Sequence, residues 1–224
     1  MKHHYYLTII LFHFTGLISA QHYLFPVKTS GYHLAASYSH LNNEYVNGNL
    51  WAINGGYTLN GRFTGSLTTG IETEEYTTFQ GNQARPISYL LGIGFNYLVL
   101  KQEQQHTILS FSVDAGYQYN RLMYGTPGDN ASIHTFLYGL SVYRNFHFSD
   151  RFSISPSFGL GRGNLHYRHD DSPLGNQSDS YSFPYYNYQL LFKISNFYLS
   201  PIIQVSDDHS YLTIQAGCII PLFD

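Results

Sequence analysis

Charged side chains are scarce. Asp, Glu, Lys and Arg together make up 11% of the chain, against about a quarter in soluble globular proteins. Apolar residues do not fill the gap, since their 43% share is ordinary. A single cysteine, Cys218, excludes an intrachain disulfide and any zinc site built from several thiolates. The formal net charge of −3 leaves no basic field able to neutralise a run of phosphates, so nucleic acid is not expected as a partner. Past residue 20, no stretch approaches the ~18 unbroken apolar residues of a membrane helix. If the mature chain enters a membrane, it does so as strands. What is present is a palette of Ser, Thr, Asn and Gln with 22 Tyr, 16 Phe and 20 Gly, which suits strands and tight turns and disfavours helices.

The N-terminus carries Lys2, an apolar stretch from Tyr5 to Phe14 and a small-residue finish at Ser19-Ala20. This order reads as a secretory signal peptide over residues 1–20, cleaved between Ala20 and Gln21. Gln21 is not a cysteine, so a lipid-modified N-terminus is not indicated. Residues 21–30 form a short periplasmic segment in this reading, and residues 31–224 form one β-barrel domain.

Period-2 alternation is the dominant pattern beyond that point. From Phe152 to Gly161, even positions are Phe, Ile, Pro, Phe or Leu up to Leu160 and odd positions are Ser or Gly, a separation that only an extended strand maintains. The same split runs through Leu109 to Tyr117 and Leu212 to Cys218. It recurs at Tyr32 to Leu41, Leu50 to Leu59, Arg62 to Thr73, Ile87 to Val99, Thr135 to Phe146, Tyr185 to Ile194 and Phe197 to Val205. Most of these lengths are close to the ~9 to 11 residues of a tilted transmembrane strand. The expected fold is all-β: an antiparallel up-and-down transmembrane β-barrel of about ten strands, with eight as the alternative count.

The links alternate as well. Asn60-Gly61 is a type I′ hairpin dipeptide, and Lys101 to Gln105, His147 to Asp150 and Ser195-Asn196 are brief turns. Longer polar loops are expected at Asn42 to Asn49, Glu74 to Arg85, Asn120 to Asn130 and Arg168 to Ser182, with a short link at Ser206 to Ser210. Long loops then gather at one end of the barrel, and short turns with both termini at the other.

Alternation alone does not say which face is outside, because a soluble barrel with an apolar lumen has the same period. The chemistry of the polar face does. It carries small neutral groups where a wet surface would carry Lys and Glu, so it is expected inside. Arg62, Arg85, Lys101, Arg121, Arg144, Arg151, Arg168 and Lys193 fall near strand ends, where a hydrocarbon belt would force them. Asp114 and Lys193 fall on the lumen face by phase, as an interior polar network or a constriction. Aromatics near segment ends, including Tyr119, Tyr138, Tyr143, Tyr167, Tyr185 and Tyr198, are read as interfacial girdles.

Together these features resemble the small outer-membrane barrels of Gram-negative bacteria, the OmpA-like and OmpX-like class, in particular the divergent versions of the Bacteroidota. The resemblance spans residues 31 to 223 and is architectural. It implies a monomer in contact with outer-membrane lipid and lipopolysaccharide, inserted by the barrel assembly machinery and needing no cofactor or metal. Such barrels end on an aromatic residue, whereas here Phe223 is followed by Asp224.

Two acid-histidine clusters are the candidate chemistry: His166, His169, Asp170 and Asp171 in the longest loop, and Asp207, Asp208, His209 and Ser210 in the next link. A histidine beside a carboxylate can activate water, so a rim hydrolase of the omptin-like or lipid-A-modifying type is the alternative. The plainer reading is turn-forming loop residues. Gly92-Ile93-Gly94 and Gly159 to Gly163 match nucleotide-binding turns only superficially, because no helix follows either. The expected role is structural, surface-binding or adhesive, or a small-solute path, with no enzymatic activity.

Overall fold

A computed structural model describes residues 24–26, 28–42, 46–77, 83–102, 108–123, 130–170, 177–206 and 209–222. The expected signal peptide and its Ala20–Gln21 junction lie outside them. Twelve β elements follow in chain order: β1 (Ser30–Asn42), β2 (Val46–Leu59), β3 (Phe63–Thr77), β4 (Gln83–Ala84), β5 (Ile87–Leu100), β6 (Ser110–Met123), β7 (Asn130–Tyr143), β8 (Phe146–His147), β9 (Phe152–Asp170), β10 (Gln177–Ile194), β11 (Phe197–Ser206) and β12 (His209–Leu222).

Ten of these make one closed ring. Each pairs antiparallel with its chain neighbour, β12 returns to β1, and the two-residue ribbons β4 and β8 lie against β3 and β9. The expected up-and-down barrel is therefore observed with ten strands, and the eight-strand alternative is excluded. Closure satisfies the main chain without leaving a sheet edge, the condition under which strands can cross a bilayer.

The sharpest short link follows from its residues. Asn60 and Gly61 have φ of 53° and 60°, the left-handed pair that a type I′ turn requires and that Asn-Gly adopts at low cost. Both described termini share one end of the ring with the links at 60–62, 101–109, 144–151 and 195–196, the short-turn end of the sequence expectation; the links at 43–45, 78–86, 124–129, 171–176 and 207–208 share the other, the expected long-loop end. The strand bounds do not reproduce the expected contrast in length, because β1 and β2 run into the loop expected at Asn42 to Asn49 and the link after β5 is longer than the turn expected at Lys101 to Gln105. Other expectations change as well. The hairpin predicted as a loop from Arg168 to Ser182 is mostly strand, with β9 reaching Asp170 and β10 starting at Gln177. The run from Thr135 to Phe146 is broken, because β7 stops at Tyr143 and Arg144 N bonds Pro156 O before β8 begins.

The side chains sort as the alternation predicts. Outward positions carry Trp51, Ile53, Leu67, Leu91, Phe95, Leu140, Leu160, Leu190, Leu199 and Ile214, among others, and Trp51 and Leu67 are 64% and 62% exposed. The outward runs Phe152–Leu160 and Ile87–Val99, at ~3.3 Å per residue and a tilt of ~40°, span about 20 to 30 Å of height, which brackets the ~25 Å apolar band of membrane barrels.

The interior is more varied than small polar groups alone. Near the long-loop end it holds Leu50, Leu90, Leu122, Ile133, Leu165 and Phe183; near the short-turn end it holds Leu98, Tyr143, Leu191, Tyr198 and Ile219. Buried polar residues, among them Asn54, Thr68, Asn96, Asp114, Gln118 and Gln215, line the strands as well. Four of the aromatics assigned above to girdles, Tyr143, Tyr167, Tyr185 and Tyr198, point inward and are at most 6% exposed. Their phase, not their nearness to a strand end, sets the direction: each shares parity with the inward face. Glycines make room for such rings, since a Cβ on Gly161 would collide with Tyr185 and one on Gly163 with Phe183.

Candidate functional site

Three places in the barrel gather polar chemistry: the mid-lumen, the short-turn mouth and the outward rim near the long loops.

Asp114 of β6 projects into the lumen and is 7% exposed. Its carboxylate accepts from both neighbouring strands: Asn96 Nδ2 of β5 donates to Oδ1, and Ser141 Oγ of β7 donates to Oδ2 at 2.7 Å. This follows from register, because Asp114 is directly paired with Asn96 and with Gly139, two residues from Ser141. Across the lumen, Asn54 Nδ2 donates to Thr68 Oγ1 at 2.7 Å while Asn54 Oδ1 lies 3.2 Å from His33 Nε2. Ser39 and Thr213 are bonded at 2.8 Å, and Gln189 Nε2 donates to Ser200 Oγ at 2.7 Å. These are cross-strand pairs in which each member satisfies a buried partner. A second interior acid, Glu72 of β3, is fully buried and has the same inward parity as Thr64 and Thr68.

Lys193 lies away from this network. Its Nζ donates to the carbonyl of Leu24 at 2.8 Å, and Lys101 Nζ donates to the carbonyl of Phe25 at 3.0 Å. The segment before β1 thus enters the short-turn mouth, where Leu24 and Phe25 are 0% and 2% exposed and pack with Ala35, Leu98, Tyr143, Leu191, Tyr198 and Ile219. Lys101, expected in a turn, is instead 3% exposed. An ammonium taken from water needs such acceptors. Neither this seat nor its lysine latches was anticipated; the one hint is the apolar pair Leu24-Phe25 just ahead of the first strand.

At the opposite end the acid-histidine clusters are only partly described. Asp171, Asp207 and Asp208 lie outside the described residues, as do the side chains of His169, Asp170 and His209. His166 faces outward, with Nδ1 2.9 Å from Ser180 Oγ. Ser210 is exposed at the start of β12. Among the described residues, no group of three or more His, Cys, Asp or Glu is placed to hold a metal ion. The glycines of the two G-x-G runs lie within β5 and β9 and cradle no turn.

No protein-family model and no curated protein matches the sequence. Solved structures match by shape. The transport unit of the autotransporter AIDA-I from Escherichia coli aligns over 97% of this chain and 97% of its own, with a TM-score of 0.51 and 10% identity. The likeness is one of fold. The outer membrane protease OmpT of Escherichia coli matches at a TM-score of 0.42 and 9% identity, over 87% of this chain and 96% of that one. Ail, the attachment invasion locus protein of Yersinia pestis, matches at 0.39 and 13%, over 88% and 100%. At such distances the activities in these names do not transfer to this chain.

In the lumen, cross-strand hydrogen bonds tie down Asp114, Asn54, Ser39 and Gln189, while the buried Asn187 Oδ1 and Gln215 Oε1 make no hydrogen bond among the described residues. Leu24 and Phe25 occupy the short-turn mouth.

Proposed function

We propose that this chain is an integral outer-membrane β-barrel that acts at the cell surface as a closed, non-conducting body, and is not an enzyme. The observation that carries the reading is the sorting of side chains across the barrel wall. An outward surface of Trp51, Ile53, Leu67, Leu91 and their neighbours far exceeds the few hundred Å² of contiguous apolar patch that a soluble protein tolerates. In hydrocarbon the same surface is at home. The long-loop end then faces outward from the cell, and the short turns with the N-terminal segment face the periplasm.

Closure rests on the interior. In a water-filled pore the inward side chains would be wetted, yet Leu50, Leu122, Ile133 and Phe183 are 0% exposed. A ten-stranded ring is only slightly wider than the eight-stranded barrels that side chains fill, and here Tyr and Leu do the filling. Binding at the loops or at the outer wall remains as the working surface.

Cell fractionation with carbonate or urea extraction tests the placement, together with an unboiled gel. The barrel is expected to stay in the membrane pellet and to shift mobility on boiling; release into the soluble fraction would overturn the membrane reading. Reconstitution into planar bilayers tests closure. No discrete conductance is expected, and reproducible unitary steps would overturn it.

A further inference from the structure

On the β1–β2–β3–β5 side of the barrel the outer wall passes from apolar to polar in successive cross-strand rows. Tyr38, Trp51, Ile71 and Tyr89 are partners in one outward row. Toward the middle of the wall come Ala36, Ile53, Thr69 and Leu91, with the neutral Thr69 as the one polar member. Toward the long-loop end come His40, Asn49, Thr73 and Ile87, and beyond them Asn47 paired with Glu75. The aromatic row fixes the height. Tyr and Trp between hydrocarbon and polar residues mark the interface, so the rows beyond it stand in the headgroup layer of the outer leaflet.

Those rows are held in place and carry no net charge from acids and bases. Asn49 Oδ1 accepts from Tyr38 Oη at 2.6 Å and lies 3.0 Å from His40 Nδ1, which fixes the amide and leaves its Nδ2 without a partner among the described residues. The Tyr38 ring packs on the exposed Trp51, with centroids 4.5 Å apart. Arg85 Nε and Nη2 both donate to Glu75 Oε1, at 3.2 and 2.7 Å, so each cancels the other's charge. Between these groups opens a cleft of about 440 Å³ whose lining includes Asn47, Asn49, Thr73, Ile87 and the ion pair, within the ~300 to 1,000 Å³ of small-molecule sites.

Neutral donors and acceptors beside an exposed indole suit one ligand chemistry. A sugar ring presents hydroxyls that each donate and accept, and a face of C–H groups that can lie on the negative face of an aromatic ring. A phosphate would meet Glu75 as well as Arg85. A soluble glycan would have to reach sideways into the headgroup layer, whereas the sugars of glycolipids in the leaflet already lie at that height.

We infer that Trp51, Asn47, Asn49 and the Arg85–Glu75 pair form a seat for an uncharged sugar ring of an outer-leaflet glycolipid, holding one such lipid against the β1–β2–β3 wall. The inference rests on the membrane placement proposed above.

The test uses the full folded chain in polyoxyethylene detergent micelles, which contain no sugar, doped with glucosyl diacylglycerol, diacylglycerol or phosphatidic acid of the same acyl chains. Bound lipid is counted by native mass spectrometry. The wild type is expected to favour the glucosyl lipid over diacylglycerol by about tenfold, the scale of one or two net hydrogen bonds, and to bind phosphatidic acid no better than diacylglycerol. Trp51→Leu with Asn49→Ala should abolish the preference, while Phe63→Leu with Phe197→Leu, at the opposite end, should keep it. Retained mobility shift on boiling certifies folding; should the first pair not fold, Glu75→Gln with Arg85→Met is expected to weaken the preference instead. Equal binding of glucosyl lipid and diacylglycerol, tighter binding of phosphatidic acid than of the glucosyl lipid, or an unchanged preference in the rim variants would overturn the inference. So would displacement of the lipid by millimolar methyl glucoside, which would mark a soluble-saccharide site. Release of the chain from membranes by carbonate sinks the placement itself, a separate outcome.

Discussion

Phe25→Ala probes the seat in the short-turn mouth. The ring is 2% exposed and so removes most of the ~150 to 200 Å² of a buried phenylalanine from water, about 4 kcal/mol at the usual ~25 cal/mol per Å². Leu24 adds about 2 kcal/mol, and the two lysine-to-carbonyl bonds add about 2 kcal/mol each as charge-assisted contacts. Against this stands the ordering of the segment, at ~1.5 kcal/mol per residue, a total of similar size. The seat is therefore held by a small surplus, which the loss of the ring outweighs. The variant should release the segment while the strands stay closed. Hydrogen exchange resolved by mass spectrometry measures this directly: the amides of Lys28 and Thr29, which bond the carbonyls of Asn60 and Pro26, should lose protection and those of β1 and β12 should keep it. If those amides stay protected and the whole barrel instead unfolds at lower urea, the segment is part of the cooperative fold and the reasoning is refuted.

Other expectations follow from the same geometry. Asp114→Ala strands the donors of Asn96 and Ser141 in the lumen and should lower the unfolding free energy in lipid by about 2 to 6 kcal/mol, at ~1 to 3 kcal/mol per orphaned group; an unchanged urea midpoint would mean that the lumen is wet. Ile53→Arg on the outer wall should cost about 2 to 4 kcal/mol at mid-bilayer and slow insertion into vesicles, whereas a neutral result would falsify the membrane-facing assignment. Gly163→Val drives a side chain into the Phe183 ring and should destabilise by about 1 to 3 kcal/mol through overpacking, read from the same titration; Phe183→Ala in the same chain is expected to recover part of the loss.

The approximate strand count, the Asn60-Gly61 turn and the direction of the outer wall were legible because they depend on local spacing; the choice of ten strands over eight came from the closed ring. A residue's face is set by parity within its own strand, so Phe152, Ile154, Phe158 and Leu160 could be assigned outward without knowing any neighbour. The inward aromatics were legible in principle. Tyr143 and Tyr185 have the parity of the lumen face, and doubled apolar pairs such as Leu50-Trp51, Leu90-Leu91 and Ile219-Ile220 mark places where both faces are apolar. Nearness to a strand end is the weaker cue, and it misled. The far half of β9 carried a signal of the same kind: Arg162, His166 and Arg168 continue the outward parity of Phe158 and Leu160, which marks them as wall residues rather than loop.

What the chain determined by itself is whatever alternation and turn chemistry encode: an all-β meander of about ten strands, with eight left open, and which half of each strand lies on the outer wall. Only the closed barrel decided which residues meet across strands. Asp114 finds Asn96 and Ser141, Lys101 and Lys193 find the carbonyls of Phe25 and Leu24, and Arg121 aligns with Arg168, through registers linking residues 18 to 169 positions apart. Register is a property of pairs of strands, set by closure of the ring and by packing in the lumen, and no window along a single strand contains it.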